Sequence, residues 1–340
     1  MYRYVRGDER DEVLAHVAEM YYERGLTQAE ISGFIGVTRS AVSRMLTEAK
    51  QKGIVETRVH RPMRFDEGLA GQLVSRFGLQ GAYVLVWNRA SQYDKLRERV
   101  GHAAALVLRD LLKPGLLIGV GWGMTIAATI EALEVDQPVP IRVTQLVGVL
   151  GSSTYAFNAQ ALVESLARKL KGEGSYLYTP FLVEDKSTAR SLLRHRSVRE
   201  AIRLGRRCDI VLLGVGTTDP EHCSLYVSGH ITRQELEELC TAGAVGDVNG
   251  YHYDDEGNIL AIEFNSRLIS IAPRDLLHVP VRMGIAAGKA KARSILGALR
   301  GGHVNLLVTD SMAATHVLEL DREDRGGFTA NGAASEDTKG

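Results

Sequence analysis

The sequence predicts an α/β protein: an N-terminal all-α helix-turn-helix domain, then a doubly wound, Rossmann-like domain built on a parallel sheet. Three observations lead there. Between residues 27 and 54, two short helical patterns are joined by a tight turn, and each opens on a threonine cap. Further along, the apolar runs LLIGVGWG, IRVTQLVGVLG, CDIVLLGVG and NLLVTD alternate with helical stretches, as strands buried on both faces of a parallel sheet require. Each run stops at Gly, Thr or Asp, the punctuation of strand-to-helix turns.

The chain has 340 residues, 45% hydrophobic and 24% charged, with 41 basic side chains against 41 acidic, which leaves room for one small and one large globular domain. No apolar run approaches the roughly 20 residues of a membrane helix. MYRYVRGDER lacks the apolar core of a signal peptide, so the expectation is a cytoplasmic protein with no membrane partner. Cys208, Cys223 and Cys240 are far apart and show no C-x-x-C spacing. Neither a zinc site nor a disulfide frame is expected, no cofactor is indicated, and Cys208 and Cys240 read as small core residues.

Taken in order, residues 11–24 place Val13, Val17, Met20 and Tyr21 on one helical face, and Gly25 suits the C-cap. Thr27 and Glu30 have capping-box spacing; Ile31, Phe34 and Ile35 follow at helical spacing, and Gly36 ends the helix. Thr38 caps a second helix starting at Arg39, whose apolar stripe is Val42, Met45, Leu46 and Ala49. In helix-turn-helix geometry the start of the second helix reaches base edges while the first crosses the backbone. DNA contacts are therefore expected from Thr38, Arg39, Ser40, Ser43 and Arg44, with Thr27 and Gln28 at the first helix and Lys50, beside Lys52, near phosphates. Residues 38–64 carry seven basic side chains against Glu48 and Glu56, a local bias inside a neutral chain. The competing view is an ordinary αα-hairpin with a solvated charged face.

IVETRVH alternates like a short wing, and the DNA-binding domain is placed at residues 1–60. Residues 61–80 read as a linker helix, or as the first helix of the next domain, with Leu69, Leu73, Val74 and Phe77 apolar, followed by AYVLVW as a short strand. The effector domain runs over 81–320, with helices expected over 93–112, 124–133, 158–170, 187–204 and 288–299. Residues 246–271 read as a hairpin beside the sheet, turning at DDEGN. The polar, small-residue tail 321–340 reads as disordered.

Ligands of open α/β sheets bind beyond the carboxyl ends of the strands. There the chain offers Gly119, Gly121 and Gly123 with Thr125, in a loop whose amides suit a phosphate at a helix start. It is not a dinucleotide fingerprint, because the third glycine would fall on Met124. The loop at Gly151, Ser152 and Ser153 and the loop around Gly216 follow two further strands. Residues 284–289 stop one residue short of a P-loop, and Ala290 stands where Ser or Thr would hold magnesium, so Lys289 reads as a point-charge phosphate contact. Four such loops favour a small polyhydroxylated, phosphorylated ligand over a nucleotide.

Together YYERGLTQAEISGFIGVTRSAVSRML, GVGWGMT, GAVGDVNGYHYDDEG and VPVRMGIAAGKAKARSILGALRGGHVNLLVTD resemble the SorC family of bacterial sugar-responsive transcription regulators, over nearly the whole chain. The resemblance implies a helix-turn-helix and an effector domain similar to glucosamine-6-phosphate isomerase, binding a sugar or sugar phosphate and assembling as dimers or tetramers. It also implies phosphate recognition on Gly119 to Thr125 and Lys289, and sugar-hydroxyl recognition on Ser152, Ser153 and Asp247. An Asp in GDVNG serves equally to cap a turn. The implied function is regulation of a carbohydrate operon, with repression relieved by the effector as the default. The alternative is a sugar-phosphate isomerase or deaminase working through residues such as Asp247, Asp219 and His222.

Overall fold

Three helices, α1 (Glu9–Tyr22), α2 (Gln28–Ile35) and α3 (Arg39–Gln51), build the first of two units, Met1–Pro62 and Met63–Gly340. The computed structural model describes residues 9–55, 63–88, 92–151 and 158–332. Thr27 closes a full capping box: its hydroxyl accepts the Glu30 amide, and the Glu30 carboxylate accepts the Thr27 amide at 2.8 Å. Gly36 ends α2 in the left-handed region at φ 68°, and the Thr38 side chain caps α3 through the Ala41 amide. Leu14, Val17, Met20, Ile31, Val42 and Leu46 form the core. Two expected core residues lie outside it, Val13 at 46% exposure and Phe34 at 74%. The inward stripe of α1 runs through Leu14, Val17 and Ala18 at helical spacing, which turns Val13 outward. Phe34 sits three residues, about 300°, from the fully buried Ile31 and so off the centre of the packed stripe. Lys52 Nζ to Asp11 Oδ1 at 2.6 Å and Arg10 Nη2 to Glu48 Oε2 at 2.7 Å tie α3 to α1. The expected wing lies mostly outside the described residues.

The second unit runs α4 (Glu67–Phe77), β1 (Gly81–Leu85), α5 (Tyr93–Leu111), β2 (Leu117–Val120), α6 (Met124–Ala132), β3 (Arg142–Gln145), α7 (Ala159–Leu170) and β4 (Glu173–Ser175). It continues through α8 (Lys186–Arg194), α9 (Arg196–Gly205), β5 (Ile210–Gly214), α10 (Ser224–Val227) and α11 (Arg233–Thr241) to the hairpin β6 (Gly246–Val248) and β7 (Tyr251–Tyr253). After α12 (Glu263–Ser266) and α13 (Pro273–Leu276) come β8 (Val281–Ile285), a 3₁₀ turn at Lys289–Lys291, α14 (Ala292–Arg300), β9 (Leu306–Asp310) and α15 (Ser311–Gly332). Seven strands pair in the order β1-β9-β8-β5-β2-β3-β4, every pair parallel. Successive residues point to opposite faces, so Leu117, Val211 and Leu213 enter one apolar cluster while Ile118, Ile210 and Leu212 enter the other. From β2 the chain steps outward to β3 and β4, then returns to β5 on the other flank of β2. The strand order reverses there, which opens a crevice at the carboxyl ends of β2 and β5.

Several expectations change. Of the two readings of residues 61–80, the helix is α4 and packs inside the second unit as its first helix, with Leu73 fully buried in the main cluster. The 187–204 helix is two helices, because the backbone turns extended at His195 (ψ 140°). The hairpin turns at Asn249 (φ 53°) and Gly250 (φ 84°), two left-handed residues as a tight two-residue hairpin requires, and DDEGN forms the next turn after β7. The tail is corrected as far as Gly332, because α15 covers it. Asp321, at 3% exposure, binds Arg76 of α4 and Arg300 of α14. Such charge partners, distant in sequence, supply order that polar composition hides. Cys240 is exposed, whereas Cys208 and Cys223 are buried and their thiols are pushed up to about 12 and about 11 by burial.

Candidate effector site and reading helix

A cavity of about 260 Å³ occupies the crevice beyond β2 and β5. It falls below the roughly 300 Å³ lower bound of drug-sized pockets, so it suits one small metabolite. Its floor is the loop into α6: Gly123 takes φ 124°, a conformation other residues rarely adopt, and α6 starts without a side-chain cap. The first amides of α6 therefore have no intrahelical partner, and Met124 and Thr125 present them beside the cavity with the helix dipole behind them. Trp122 lines the wall and packs on Phe181, ring centroids 6.0 Å apart.

Asp247, from β6, supplies the buried acid. Its Oδ2 accepts the Gly250 amide at 3.0 Å, so the hairpin turn fixes the carboxylate. Any Cβ on Gly216 would overlap Asp247 Oδ1; the glycine exists to let the acid in. Lys291, 8% exposed, supplies the buried base, with Nζ donating to the Val215 carbonyl at 2.7 Å. Burial brings its pKa down to about 8, while the field of Asp247 opposes the drop. The turn carrying Lys291 is anchored by the Gly288 amide donating to Asp310 Oδ2 at 2.6 Å. Asp310 also accepts the Met312 and Ala313 amides at the start of α15, while burial pushes its carboxyl above the usual range. Tyr93, pushed up to about 12 by burial, and Arg97, paired to Asp94 at 2.9 Å, close one side; Glu221 and His222 close another.

Of the residues singled out from sequence, the cavity gathers Gly123, Thr125, Gly216 and Asp247, together with His222 from the enzyme alternative. Gly119 and Gly121 are not in its lining. A Cβ on Gly119 would stand 2.7 Å from Leu146 Cδ2 and 2.8 Å from Val211 Cγ1, and one on Gly121 would stand 2.9 Å from Asn249 Oδ1. Both are packing glycines, Gly119 inside β2 and Gly121 directly after it. Gly151 is exposed and outside the lining, and Ser152 and Ser153 lie outside the described residues. Lys289 points to solvent, and Lys291 lines the cavity in its place. Gly284, read as a loop residue, lies within β8. Sequence reasoning missed Tyr93, Arg97 and Lys291; the second lysine of GKAK was the available signal.

In the first unit Thr27, Thr38, Arg39, Ser40, Ser43, Arg44 and Lys50 are exposed and Gln28 is half-buried. Thr38 and Ser40 hydroxyls lie 3.0 Å apart at the start of α3, and the Lys50 ammonium sits 5.5 Å from the centre of the Tyr22 ring.

Residues 62–319 match the family described as "Putative sugar-binding domain", and residues 11–65 match the Crp-like helix-turn-helix domain. The chain belongs to the SorC family of sugar-binding transcription regulators. It is 30% identical to the transcriptional regulator LsrR of Klebsiella pneumoniae over 91% of this chain and 94% of that protein. Against the deoxyribonucleoside regulator of Bacillus subtilis the identity is 28%, over 90% and 97%. The full-length sorbitol operon regulator SorC of Klebsiella pneumoniae superposes with a TM-score of 0.67 at 26% identity, covering 92% of this chain and all of that one. The chain thus joins a helix-turn-helix to a SorC-type sugar-binding domain, as transcription regulators of this family do. Among the described residues no helix is long and apolar enough to cross a membrane.

Proposed function

We propose that this protein is a cytoplasmic repressor of a carbohydrate-metabolism operon, released from its operator when one sugar or sugar phosphate fills the cavity beyond β2 and β5. The observation that carries the reading is the pairing of an uncapped helix start with buried Asp247 and Lys291 around a volume sized for one small metabolite. The amides at Met124 and Thr125 take the phosphate, Asp247 accepts a hydroxyl, and Lys291 adds positive charge. Thr38, Arg39, Ser40, Ser43 and Arg44 read bases, while Thr27, Gln28 and Lys50 meet the backbone. A homo-oligomer, dimer or tetramer, places several readers on repeated half-sites, because one short module binds too weakly to be specific at physiological salt. The site acts by binding rather than turnover.

The test is a thermal-shift screen of sugars and sugar phosphates on the full chain, since a ligand that binds only the native state raises its melting temperature. A stabilising phosphosugar recovered unchanged after incubation supports the reading. Its conversion above background makes the protein an enzyme.

A further inference from the structure

Asp219 and His222 lie on the segment after β5, outside the phosphate cradle and away from Asp247 in sequence. His222 lines the cavity, and its ring is held from two sides. Nδ1 stands 2.8 Å from Asp219 Oδ1, and the Tyr93 ring meets the imidazole edge to face, centroids 4.7 Å apart at 78°. Asp219 is fixed in turn, because its Oδ1 accepts the Glu221 amide at 3.0 Å and its own amide donates to Thr217 Oγ1 at 3.2 Å. An ionised carboxylate only accepts, so Nδ1 is the nitrogen that carries a proton toward Asp219, and in the neutral form of the ring Nε2 is the one left with the lone pair. Asp247 is a second acceptor in the same lining. Groups that only accept call for ligand O–H donors. A phosphate dianion has none to give, and Glu221 beside His222 disfavours one there. A sugar hydroxyl meets the requirement.

We propose that His222 is a specificity-determining residue that accepts one sugar hydroxyl at Nε2, with Asp219 as its positioning residue; this rests on the sugar or sugar-phosphate reading above. A site built to bond a hydroxyl rejects the analogue lacking it, because its own polar group is then left unpaired. The experiment is calorimetric titration of the full chain with a panel of aldose and ketose phosphates, each paired with its monodeoxy analogues. Wild type, His222→Phe and Asp219→Asn are compared. His222→Phe keeps a ring against Tyr93 and removes both nitrogens; His222→Gln restores a polar tip and serves as a second variant where Phe lowers the melting temperature. The wild type binds one deoxy analogue at least about tenfold more weakly than its parent, and His222→Phe brings that ratio within about twofold. His222→Gln recovers part of it. Nitrogen-15 spectra of the imidazole report an Nδ1–H tautomer in the wild type and a mixture in Asp219→Asn, a change that a purely structural role for Asp219 does not produce. Undiminished discrimination in both His222 variants, or an Nε2–H tautomer in the wild type, overturns the proposal. Failure of every sugar and phosphosugar to bind the wild type refutes the sugar reading itself, and the proposal falls with it.

Discussion

Gly216 carries no side chain because the Asp247 carboxylate occupies the space where one would be. Gly216→Ala therefore displaces Asp247 and abolishes effector-induced thermal stabilisation, whereas Gly243→Met, at a position open to solvent but at φ 87°, costs some stability and leaves that response intact. Equal responses in the two variants remove Gly216 from the site. Lys291 gives a pH signature. Its folded-state pKa, about 8, lies below its ordinary value near 10.5, so the folded state binds fewer protons than the unfolded state between those two values. The cost of the buried ammonium is thus borne in full below about pH 8, and stability from this group rises with pH up to about 10.5. Binding of an anionic effector runs the other way and weakens as pH rises through about 8. In Lys291→Arg, which stays protonated, titrations across pH 7 to 9.5 lose that dependence. At this scale the sequence showed residue chemistry but not direction. GKAKAR contains both lysines, and only the tighter 3₁₀ turn at Lys289–Lys291 decides that the second one points inward. A glycine that lines a cavity and one that makes room for Leu146 or Val211 look alike in sequence, which is why Gly123, in the cavity lining, and Gly119, outside it, were read together.

Elements held by local signals were legible. The capping box at Thr27 and Glu30, the Thr38 cap and the Gly36 stop fix α2 and α3 from within a dozen residues. Elements held by distant partners were not. Asp321 lies 245 positions from Arg76, yet α15 is pinned to α4 and α14 through Arg76, Arg300 and Asp324. Arg76 Nη2 is buried without a hydrogen-bond partner even with Asp321 present. Removing the acid takes the carboxylate from Arg76, whose side chain is 28% exposed, while Arg300 keeps Glu256 and Asp324, at a cost of about 2 kcal/mol. Asp321→Ala should lower the urea midpoint of the second unit accordingly, while Asp324→Ala, at the rim with 37% side-chain exposure, costs well under 1 kcal/mol. Comparable midpoints for the two variants contradict the assignment. The hairpin is the exception among locally signalled elements: VNGY carries the Asn-Gly turn signal in the open, but the more conspicuous DDEGN drew the turn away from it.

Across the whole molecule, a unit that matches a helix-turn-helix domain precedes one that matches a sugar-binding domain, so the proposed DNA and effector sites fall in different units. Arg44→Ala therefore weakens DNA binding while leaving effector-induced stabilisation unchanged; joint loss of both contradicts that division. Coupling between the sites requires the effector to prefer one of two states, and typical couplings of 1–3 kcal/mol change affinity by about 5- to 150-fold. The central claim is that the cavity beyond β2 and β5 is the input of this switch. The measurement that tests it is fluorescence-anisotropy titration of an operator duplex selected from random DNA by the protein itself. Wild type and Lys291→Met are each titrated with and without the phosphosugar found in the thermal-shift screen. The wild type loses at least about fivefold in operator affinity when the effector is added, while Lys291→Met binds DNA equally well without effector and changes less than about twofold with it. A Lys291→Met protein that releases operator like the wild type would place the input elsewhere.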